Sequence, residues 1–477
     1  MLFNSPEFLF LFLPLTLMLF AWTARRKAVW SQAVLVVASM AFYAYWDATF
    51  LLILMTSLAI NFYIGQRLSA HPSRRLLAAG VAANILLLGY FKYTNFIVMN
   101  INAITGSGFP NLSIVLPLGI SFFTFQKIAY LVDAHRGEVH DRSPLRFSLF
   151  VLFFPQLIAG PIVHHKEVIP QFSETARRGG LPPAPMVASG LALLLLGLFK
   201  KVVIADSLAR YVTPAFGAPE GVYFLEAWTA VLAYTLQLYF DFSAYSEMAM
   251  GIAQLFGVRL PVNFNAPYKA ANITDFWRRW HITLGRFLRD YVYVPFGGNR
   301  SGTPRTIMAV VGTMFIGGLW HGASWNFVIW GFMHGCYLAV HKIWTLTKYR
   351  LSVWAGRSLT FFAVLFSWVM FRASTAHDAV TIWRTMLGGE GVVLPGSLRA
   401  IADLSEWGIG YRTSSVINGV EFPVLLVITA FVFMAPTVHD TVKKLQPSWR
   451  WLAVLGGLTL ISLFQISRPS DFIYWQF

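Results

Sequence analysis

Charged side chains are scarce in this sequence of 477 residues. Asp, Glu, Lys and Arg make up 12% of it, whereas soluble domains average about 25%. Hydrophobic residues make up 56%, and the mean hydropathy is +0.58. This composition excludes a soluble globular protein. It predicts an all-α polytopic membrane protein, and we expect one domain over residues 1–477 because a helical bundle in lipid grows by adding spans.

Cysteine is nearly absent as well. The single residue, Cys336, excludes an intrachain disulfide and a cysteine-based metal cluster. The sequence also lacks the serine hydrolase motif G-x-S-x-G, the phosphate-binding loop G-x-x-x-x-G-K-[ST] and the zinc motif H-E-x-x-H. His164 and His165 are adjacent, which is not ligand spacing along a helix face. We therefore expect no metal and no bound cofactor.

Apolar stretches recur along the whole chain, and their lengths predict about twelve transmembrane helices. The predicted segments are 8–24, 30–46, 49–65, 76–98, 114–134, 186–208, 222–256, 306–320, 325–341, 354–373, 421–438 and 450–467. The first of them precedes its positive cluster, Arg25 to Lys27, as in a retained anchor with its N-terminus outside.

The net charge of +16 follows from topology, so no nucleic-acid partner is expected. Most Lys and Arg residues fall in alternate connections, whereas the connection 99–113 contains none. Short loops with excess positive charge stay in the cytoplasm. The pattern predicts that both termini lie outside and that the basic connections face anionic lipid of the bilayer. It also leaves one long external segment, 373–420.

Two stretches do not fit the pattern of plain spans. Residues 147–161 are apolar but contain Pro155, Gly160 and Pro161, and they must return to the same side to keep the charge alternation. Residues 262–298 are too charged to span and too aromatic for a solvated loop. Irregular backbone persists at membrane depth only where protein or a water-filled cavity surrounds it. We predict two re-entrant or amphipathic segments, the second lining a cavity open to the cytoplasm.

His321 is the clearest candidate for chemistry, because it follows Trp320 inside an apolar stretch. An ionisable side chain within a membrane is costly and is a functional candidate by default. The alternative is a histidine that only joins two helices by hydrogen bonds. His334 follows thirteen residues later, and a continuous helix would point it away from His321, so packing is its expected role.

Several motifs resemble the membrane-bound O-acyltransferase superfamily, and most closely its bacterial alginate O-acetylation branch. The matching stretches are 116–126 (LPLGISFFTFQ), 154–161 (FPQLIAGP), 275–284 (DFWRRWHITL), 320–325 (WHGASW) and 472–477 (FIYWQF). The resemblance implies a fold with a central tunnel in the bacterial inner membrane. It also implies that an acyl group from a cytoplasmic donor passes to an acceptor outside. His321 matches the hallmark histidine of the superfamily, and His281 matches the second histidine of this branch.

A positioned histidine suits acyl transfer, because it can take the hydroxyl proton as the new ester bond forms. A covalent acyl-imidazole is the alternative for His321. His281 could instead anchor its segment through hydrogen bonds, and Asp275 could be a helix cap. Further residues expected to line the substrate path or tunnel are Trp320, Asp275, Trp277, Asp241, Tyr245, Gln126 and Asn326. For the polar residues around Asp241 and Tyr245, the alternative role is hydrogen bonding between helices.

Three functions stay open. The first is acetyl transfer from acetyl-coenzyme A or a phosphopantetheine carrier for O-acetylation of an envelope polysaccharide, with a periplasmic esterase-like acetyltransferase as partner. The second is the same chemistry used for D-alanyl transfer to teichoic acid or for peptidoglycan O-acetylation. The third is a secondary transporter, which broken helices also suit. No inverted repeat is found in the two halves, and this favours an enzyme.

Overall fold

The computed structural model describes residues 1–177, 181–300, 302–414, 417–446, 448–466 and 473. Helices dominate this part of the chain. The α-helices are α1 Leu13–Ala24, α2 Ala28–Ala44, α3 Ala48–Ala70, α4 Arg74–Thr105, α5 Ile120–His135, α6 Pro144–Leu152, α7 Phe154–Leu157, α8 His165–Arg177, α9 Ala184–Phe199, α10 Asp206–Gly217, α11 Phe224–Leu255, α12 Ile273–Trp277, α13 Ile282–Leu288, α14 Gly302–His321, α15 Trp325–Trp344, α16 Val353–Arg372, α17 Ala376–Met386, α18 Glu421–Met434, α19 Val438–Lys443 and α20 Trp449–Gln465.

Shorter elements complete the description. π-Helical turns cover Glu7–Phe12, Lys200–Ala205 and Arg289–Tyr293, and 3₁₀ turns cover Pro219–Gly221, Pro267–Lys269, Gly396–Ala400 and Ser405–Trp407. Two three-residue strands, β1 Val393–Pro395 and β2 Gly410–Arg412, pair in parallel. The all-α prediction is confirmed apart from this small sheet in the predicted external segment.

Helix length and composition support a multi-pass membrane protein. Among the described residues, five helical stretches are long and apolar enough to cross a bilayer: Glu7–Ala24, Ala48–Ala70, Arg74–Thr105, Ala184–Gly217 and Val353–Arg372. Val29–Ala44 and Glu421–Met434 are shorter apolar helices. The remaining predicted spans are helical for most of their length, but they do not reach this standard. The count of twelve therefore stays a prediction.

The predicted span 114–134 is helical only from Ile120. Gly119 stands before it with a left-handed φ of +70°, and a Cβ atom there would lie 2.9 Å from the carbonyl oxygen of Leu157. Only glycine meets both conditions without strain. The backbone contact with α7 therefore decides where α5 begins.

The chain forms two compact units. Unit 1 consists of the described parts of Met1–Phe199, Ala244–Asn263 and Val438–Pro469. Its core includes a cluster of phenylalanine rings in which Phe8, Phe12 and Phe42 each contact Phe154 at centroid distances of 5.2–6.2 Å. Stretch 147–161 lies here, nearly all of it buried and broken at Phe153 into α6 and α7. Neither short helix is long enough to span a bilayer, and the re-entrant course of this stretch stays a prediction.

Unit 2 consists of the described parts of Lys200–Ser243, Phe264–Thr437 and Ser470–Phe477. Within stretch 262–298, the part in this unit forms only short helical turns, α12 and α13 among them, and no helix long enough to span. The C-terminal motif 472–477 lies outside the described residues except for Ile473. Arg178, part of one predicted cytoplasmic cluster, lies outside them too.

The predicted external segment 373–420 belongs to unit 2, and several hydrogen bonds join residues within it. Tyr411 donates its hydroxyl to the carbonyl of Ala402 and accepts the amide N–H of Leu404. Hydrogen bonds from Ser405, together with the guanidinium of Arg399, hold the pKa of Asp403 at about 2. These contacts fix the turns that follow β1 and precede β2.

Candidate active site

The hairpin of α14 and α15 carries His321, and glycine residues let the two helices meet backbone to backbone. A Cβ atom at Gly318 would lie 2.3 Å from the carbonyl oxygen of Phe327, and one at Gly331 would lie 2.4 Å from that of Met314. Small residues permit this close approach between apolar helices. His321 is the last residue of α14, so this packing fixes its position.

The imidazole of His321 is enclosed by aromatic side chains. Its ring lies edge to face with Trp320, Trp330 and Phe371, at centroid distances of 4.9, 5.0 and 5.2 Å. Only 3% of the residue is exposed. Trp330 comes from α15 and Phe371 from α16, so three helices of unit 2 define the orientation of this ring.

His281 is fully buried at the start of α13. Its ring contacts Phe242 of α11 at 4.8 Å, Phe264 at 6.3 Å and Trp320 at 6.0 Å. Its backbone has a φ of +42°, in the left-handed region that costs a non-glycine residue about 1–2 kcal/mol. Strained backbone of this kind clusters at functional sites. The strain distinguishes His281 from an ordinary packing histidine.

Trp320 joins the two histidines, because its indole contacts both imidazoles. The sequence separates His281 and His321 by forty positions, and the fold places them on one aromatic cluster in unit 2. The predicted pair is thus assembled in space. Such an arrangement offers two imidazoles in water-poor surroundings, where a neutral ring can accept a proton.

A cavity of about 460 Å³ adjoins this cluster. Its wall includes Ile282, the residue after His281, and Trp277, whose ring contacts Trp330 at 6.0 Å. Three arginines also line it: Arg278, Arg286 and Arg289. Arg289 forms an ion pair with Asp290 at 2.7 Å, whereas Arg278 is exposed and has no ion pair among the described residues. The cavity therefore combines positive charge with an aromatic inner wall.

Comparison with known proteins decides the family. Residues 43–374 match the model of MBOAT, the membrane-bound O-acyltransferase family. The chain belongs to this family. It is 41% identical over 432 residues to a peptidoglycan O-acetyltransferase of Helicobacter pylori, covering 83% of this chain and 81% of that protein. It is 40% identical over 514 residues to the probable alginate O-acetylase AlgI of Pseudomonas putida, covering 100% of both.

A more distant relative is the teichoic acid D-alanyltransferase of Bacillus subtilis. It is 27% identical over 285 residues, which cover 56% of this chain and 71% of that protein. The chain is thus an acyltransferase of the MBOAT family, and the transporter interpretation is set aside.

Within the acyltransferase, His334 has a structural place. Trp277 donates its indole N–H to Nδ1 of His334 at 3.3 Å, so Nε2 carries the proton and donates to the Ser367 hydroxyl at 2.9 Å. The Ser367 hydroxyl in turn donates to the carbonyl of Val364 at 2.7 Å. Both ring nitrogens are therefore used inside the protein, in agreement with the packing role expected for His334.

Three other predicted residues of unit 2 are Asp275, Asn326 and Trp277, and the first two make structural contacts. Asp275 pairs with Arg279 at 2.8 Å and accepts the backbone N–H of Ala271 at 3.3 Å, so its contacts are structural, although the N-cap of α12 is Asn272. Asn326 donates to the carbonyl of Ala373 at 2.7 Å. This bond ties the start of α15 to the end of α16. Trp277 is the one of these residues that lines the arginine cavity.

Asp241 lies in a buried ionic cluster of unit 2. Its carboxylate pairs with Lys201 at 2.7 Å and accepts the backbone N–H of Ile473 at 3.0 Å. Lys201 also pairs with Asp206 at 2.8 Å. The next residue after Asp241 is Phe242, which contacts His281, so this cluster supports one wall of the histidine site.

Gln126 and Tyr245 belong to unit 1. Gln126 is buried in α5, and the ring of Tyr245 stacks on Phe3 at a centroid distance of 4.7 Å. Lys127 is also buried there and donates to the Ser57 hydroxyl at 2.5 Å. The tunnel-lining roles of Gln126 and Tyr245 stay predictions.

Sequence reasoning did not single out the aromatic residues that orient the imidazoles, namely Phe242, Phe264, Trp330 and Phe371. In a sequence with 16% aromatic residues these positions look like ordinary core. A usable signal was present in the small residues: Gly317, Gly318, Gly331 and Gly335 occur on the two helices that flank the histidine motif. That spacing predicts close helix packing beside His321.

Proposed function

We propose that this acyltransferase takes acetyl groups from a cytoplasmic thioester donor and passes them across the inner membrane for O-acetylation of an envelope or extracellular polysaccharide. The observation that carries the proposal is the contact of both His281 and His321 with Trp320. Two buried imidazoles contact one indole, and a cavity lined by three arginines lies beside this aromatic cluster, where it could bind an anionic donor.

The proposed chemistry uses His321 as the general base. A nitrogen of the neutral imidazole accepts the proton of the acceptor hydroxyl while the hydroxyl oxygen bonds to the carbonyl carbon of the thioester. The carbon–sulfur bond then breaks, and the leaving thiolate takes the proton from the imidazolium to form a free thiol. General base catalysis of this kind supplies typically ~10²- to 10⁴-fold in rate. Attack by His321 itself, through an acyl-imidazole, is the alternative route.

The proposed donor site is the arginine cavity. Acetyl-coenzyme A and a phosphopantetheine carrier both present phosphate close to a thioester, and guanidinium groups bind phosphate through paired N–H donors. Arg278, Arg286 and Arg289 line the cavity, and its aromatic wall at Trp277 leads through Trp330 to His321. A donor held by its phosphates would direct its thioester inward.

The names of the relatives support acetyl as the transferred group. The two O-acetylation proteins described above are 40–41% identical over most of the chain, whereas the D-alanyltransferase is 27% identical over about half of it. We favour acetyl over D-alanyl transfer for this reason. Because the sequence has no serine hydrolase motif, we propose that the chain relays acetyl groups to a periplasmic esterase-like acetyltransferase. The external segment 373–420 would be its docking site, with both termini of the chain on that side.

The test is a transfer experiment with the purified full-length protein in lipid nanodiscs and acetyl-labelled coenzyme A. The protein alone should release coenzyme A only slowly, and it should form little ester on the polysaccharide; acetyl label on the protein itself would instead support the acyl-imidazole route. Addition of a periplasmic esterase-like acetyltransferase from the same organism should restore polysaccharide acetylation. Full acetylation by the lone protein at the same rate would refute the relay, and absence of any transfer with the partner present would refute the proposed function.

A further inference from the structure

Unit 2 contains a second cavity, and its wall residues are distant in the sequence from His281 and His321. It has a volume of about 380 Å³ and lies between the connection of α10 to α11 and the residues that follow β2. Its wall includes Tyr211, Tyr223, Glu226, Thr413 and Ser414. By the charge alternation of the sequence both segments are extracytoplasmic, and their contact in this cleft is consistent with that topology.

The two sides of the cleft are joined without a ligand. The carboxylate of Glu226 accepts the backbone N–H of Tyr223 at 3.1 Å and the hydroxyl of Ser414. The Ser414 oxygen also accepts the backbone N–H of Ile417 at 3.0 Å. Glu226 is therefore committed to holding the walls together. A preformed cleft costs a ligand less ordering on binding.

Other polar groups around the cleft have unused hydrogen-bonding capacity. The hydroxyls of Tyr211, Tyr223 and Thr413 form no hydrogen bond with any described residue. Arg210 lies over the ring of Tyr211 at 4.8 Å, and Arg412 lies over that of Tyr223 at 4.7 Å. Neither arginine has an ion pair within the described part of the chain. A second carboxylate, that of Glu220, lies on the turn beside the cleft and is exposed to solvent.

We propose that this cleft binds a short stretch of a carboxylated polysaccharide, the polymer that is finally O-acetylated in the proposed function, on which this inference rests. Sugar rings place their C–H faces on aromatic side chains, and tyrosine adds a polar edge. The three hydroxyls match sugar hydroxyls, and the two guanidinium groups match sugar carboxylates through charge-assisted hydrogen bonds. The volume is that of a small-ligand pocket, whereas protein partners bind over larger and flatter surfaces.

The experiment measures binding of oligosaccharides to the full-length protein in nanodiscs by isothermal titration. The probes are a hexamer of a uronic acid and maltohexaose, a neutral hexamer of the same length. Arg412→Ala and Tyr223→Ala are compared with Arg399→Ala. The control is matched because Arg399 belongs to the same segment and lies over Tyr411 at 5.8 Å, away from the cleft wall, whereas Arg412 lies over the wall residue Tyr223 at 4.7 Å.

The uronate hexamer should bind more tightly than maltohexaose, and each cleft variant should weaken its binding at least about tenfold, the effect of one charge-assisted hydrogen bond. Arg399→Ala should bind like the wild type. Equal binding of both hexamers, or equal loss in Arg399→Ala, would overturn the inference. Acetyl transfer from labelled coenzyme A is measured in parallel. Normal transfer without uronate binding refutes the cleft alone, whereas failed transfer refutes the proposed function.

Discussion

His321 and His334 provide a matched pair of buried histidines in neighbouring helices, and their contacts predict opposite responses to the same substitution. Glutamine has nearly the volume of histidine and keeps one hydrogen-bond donor and one acceptor, but it cannot act as a base near neutral pH. In His334→Gln, the amide can still accept from Trp277 and donate to Ser367. In His321→Gln, the packing against Trp330 and Phe371 is largely kept while the proton acceptor is lost.

The expected magnitudes differ accordingly. Loss of a general base lowers the rate by about 10²- to 10⁴-fold, which raises the activation free energy by about 2.7–5.4 kcal/mol. His321→Gln should therefore retain about 1% of the wild-type rate or less. His334→Gln should stay within about threefold of the wild type. His334→Ala should instead lower the free energy of unfolding by about 2–4 kcal/mol, because it leaves a void and the indole N–H of Trp277 without its acceptor.

The assay is the amount of O-acetyl ester on exported polysaccharide in a deletion strain complemented with each variant, normalised to the amount of protein in the membrane. Thermal unfolding of the purified variants separates loss of chemistry from loss of folding. If His321→Gln kept acetylation while His334→Gln abolished it with normal unfolding, the assignment of the base would be wrong. If both variants lost acetylation and unfolded early, the two histidines would have the same structural role.

Two further predictions test the helix packing and the topology. Gly331→Ala places a methyl group 2.4 Å from the carbonyl oxygen of Met314 and should lower the free energy of unfolding by about 1–3 kcal/mol. The control Gly312→Ala, whose new methyl group has no atom nearer than 3.6 Å, should unfold like the wild type. Equal melting temperatures of the two variants would contradict this packing. In a Cys336→Ser background, Arg278→Cys and Arg300→Cys should react with a membrane-impermeant maleimide only in inverted vesicles, and Trp407→Cys, 83% exposed in the external segment, only in intact cells. The reverse pattern would overturn the proposed sidedness.

Composition and short motifs were enough to predict the membrane class, the helical structure and the acyltransferase family of this protein. Low charge and long apolar stretches make a soluble fold too costly, so membrane insertion and helical structure follow from composition. The proline and glycine residues of 147–161 and the charges of 262–298 prevent continuous spans wherever those segments lie. The resemblance of WHGASW and DFWRRWHITL to family motifs gave the acyltransferase class, which the comparisons confirmed.

The arrangement of the site depended on contacts between residues far apart in the chain. Asp275 and Asn326 are polar residues in a candidate site region by sequence, but the fold uses them to tie Ala271 and Ala373 in place. No local pattern places Phe242 against His281 or Phe371 against His321. The sequence determines which side chains can accept a proton and which are apolar enough to be buried. Helix packing decides which of these side chains come into contact. The free energy of burial has no direction, so only close contacts such as that of Gly318 with Phe327 fix one orientation.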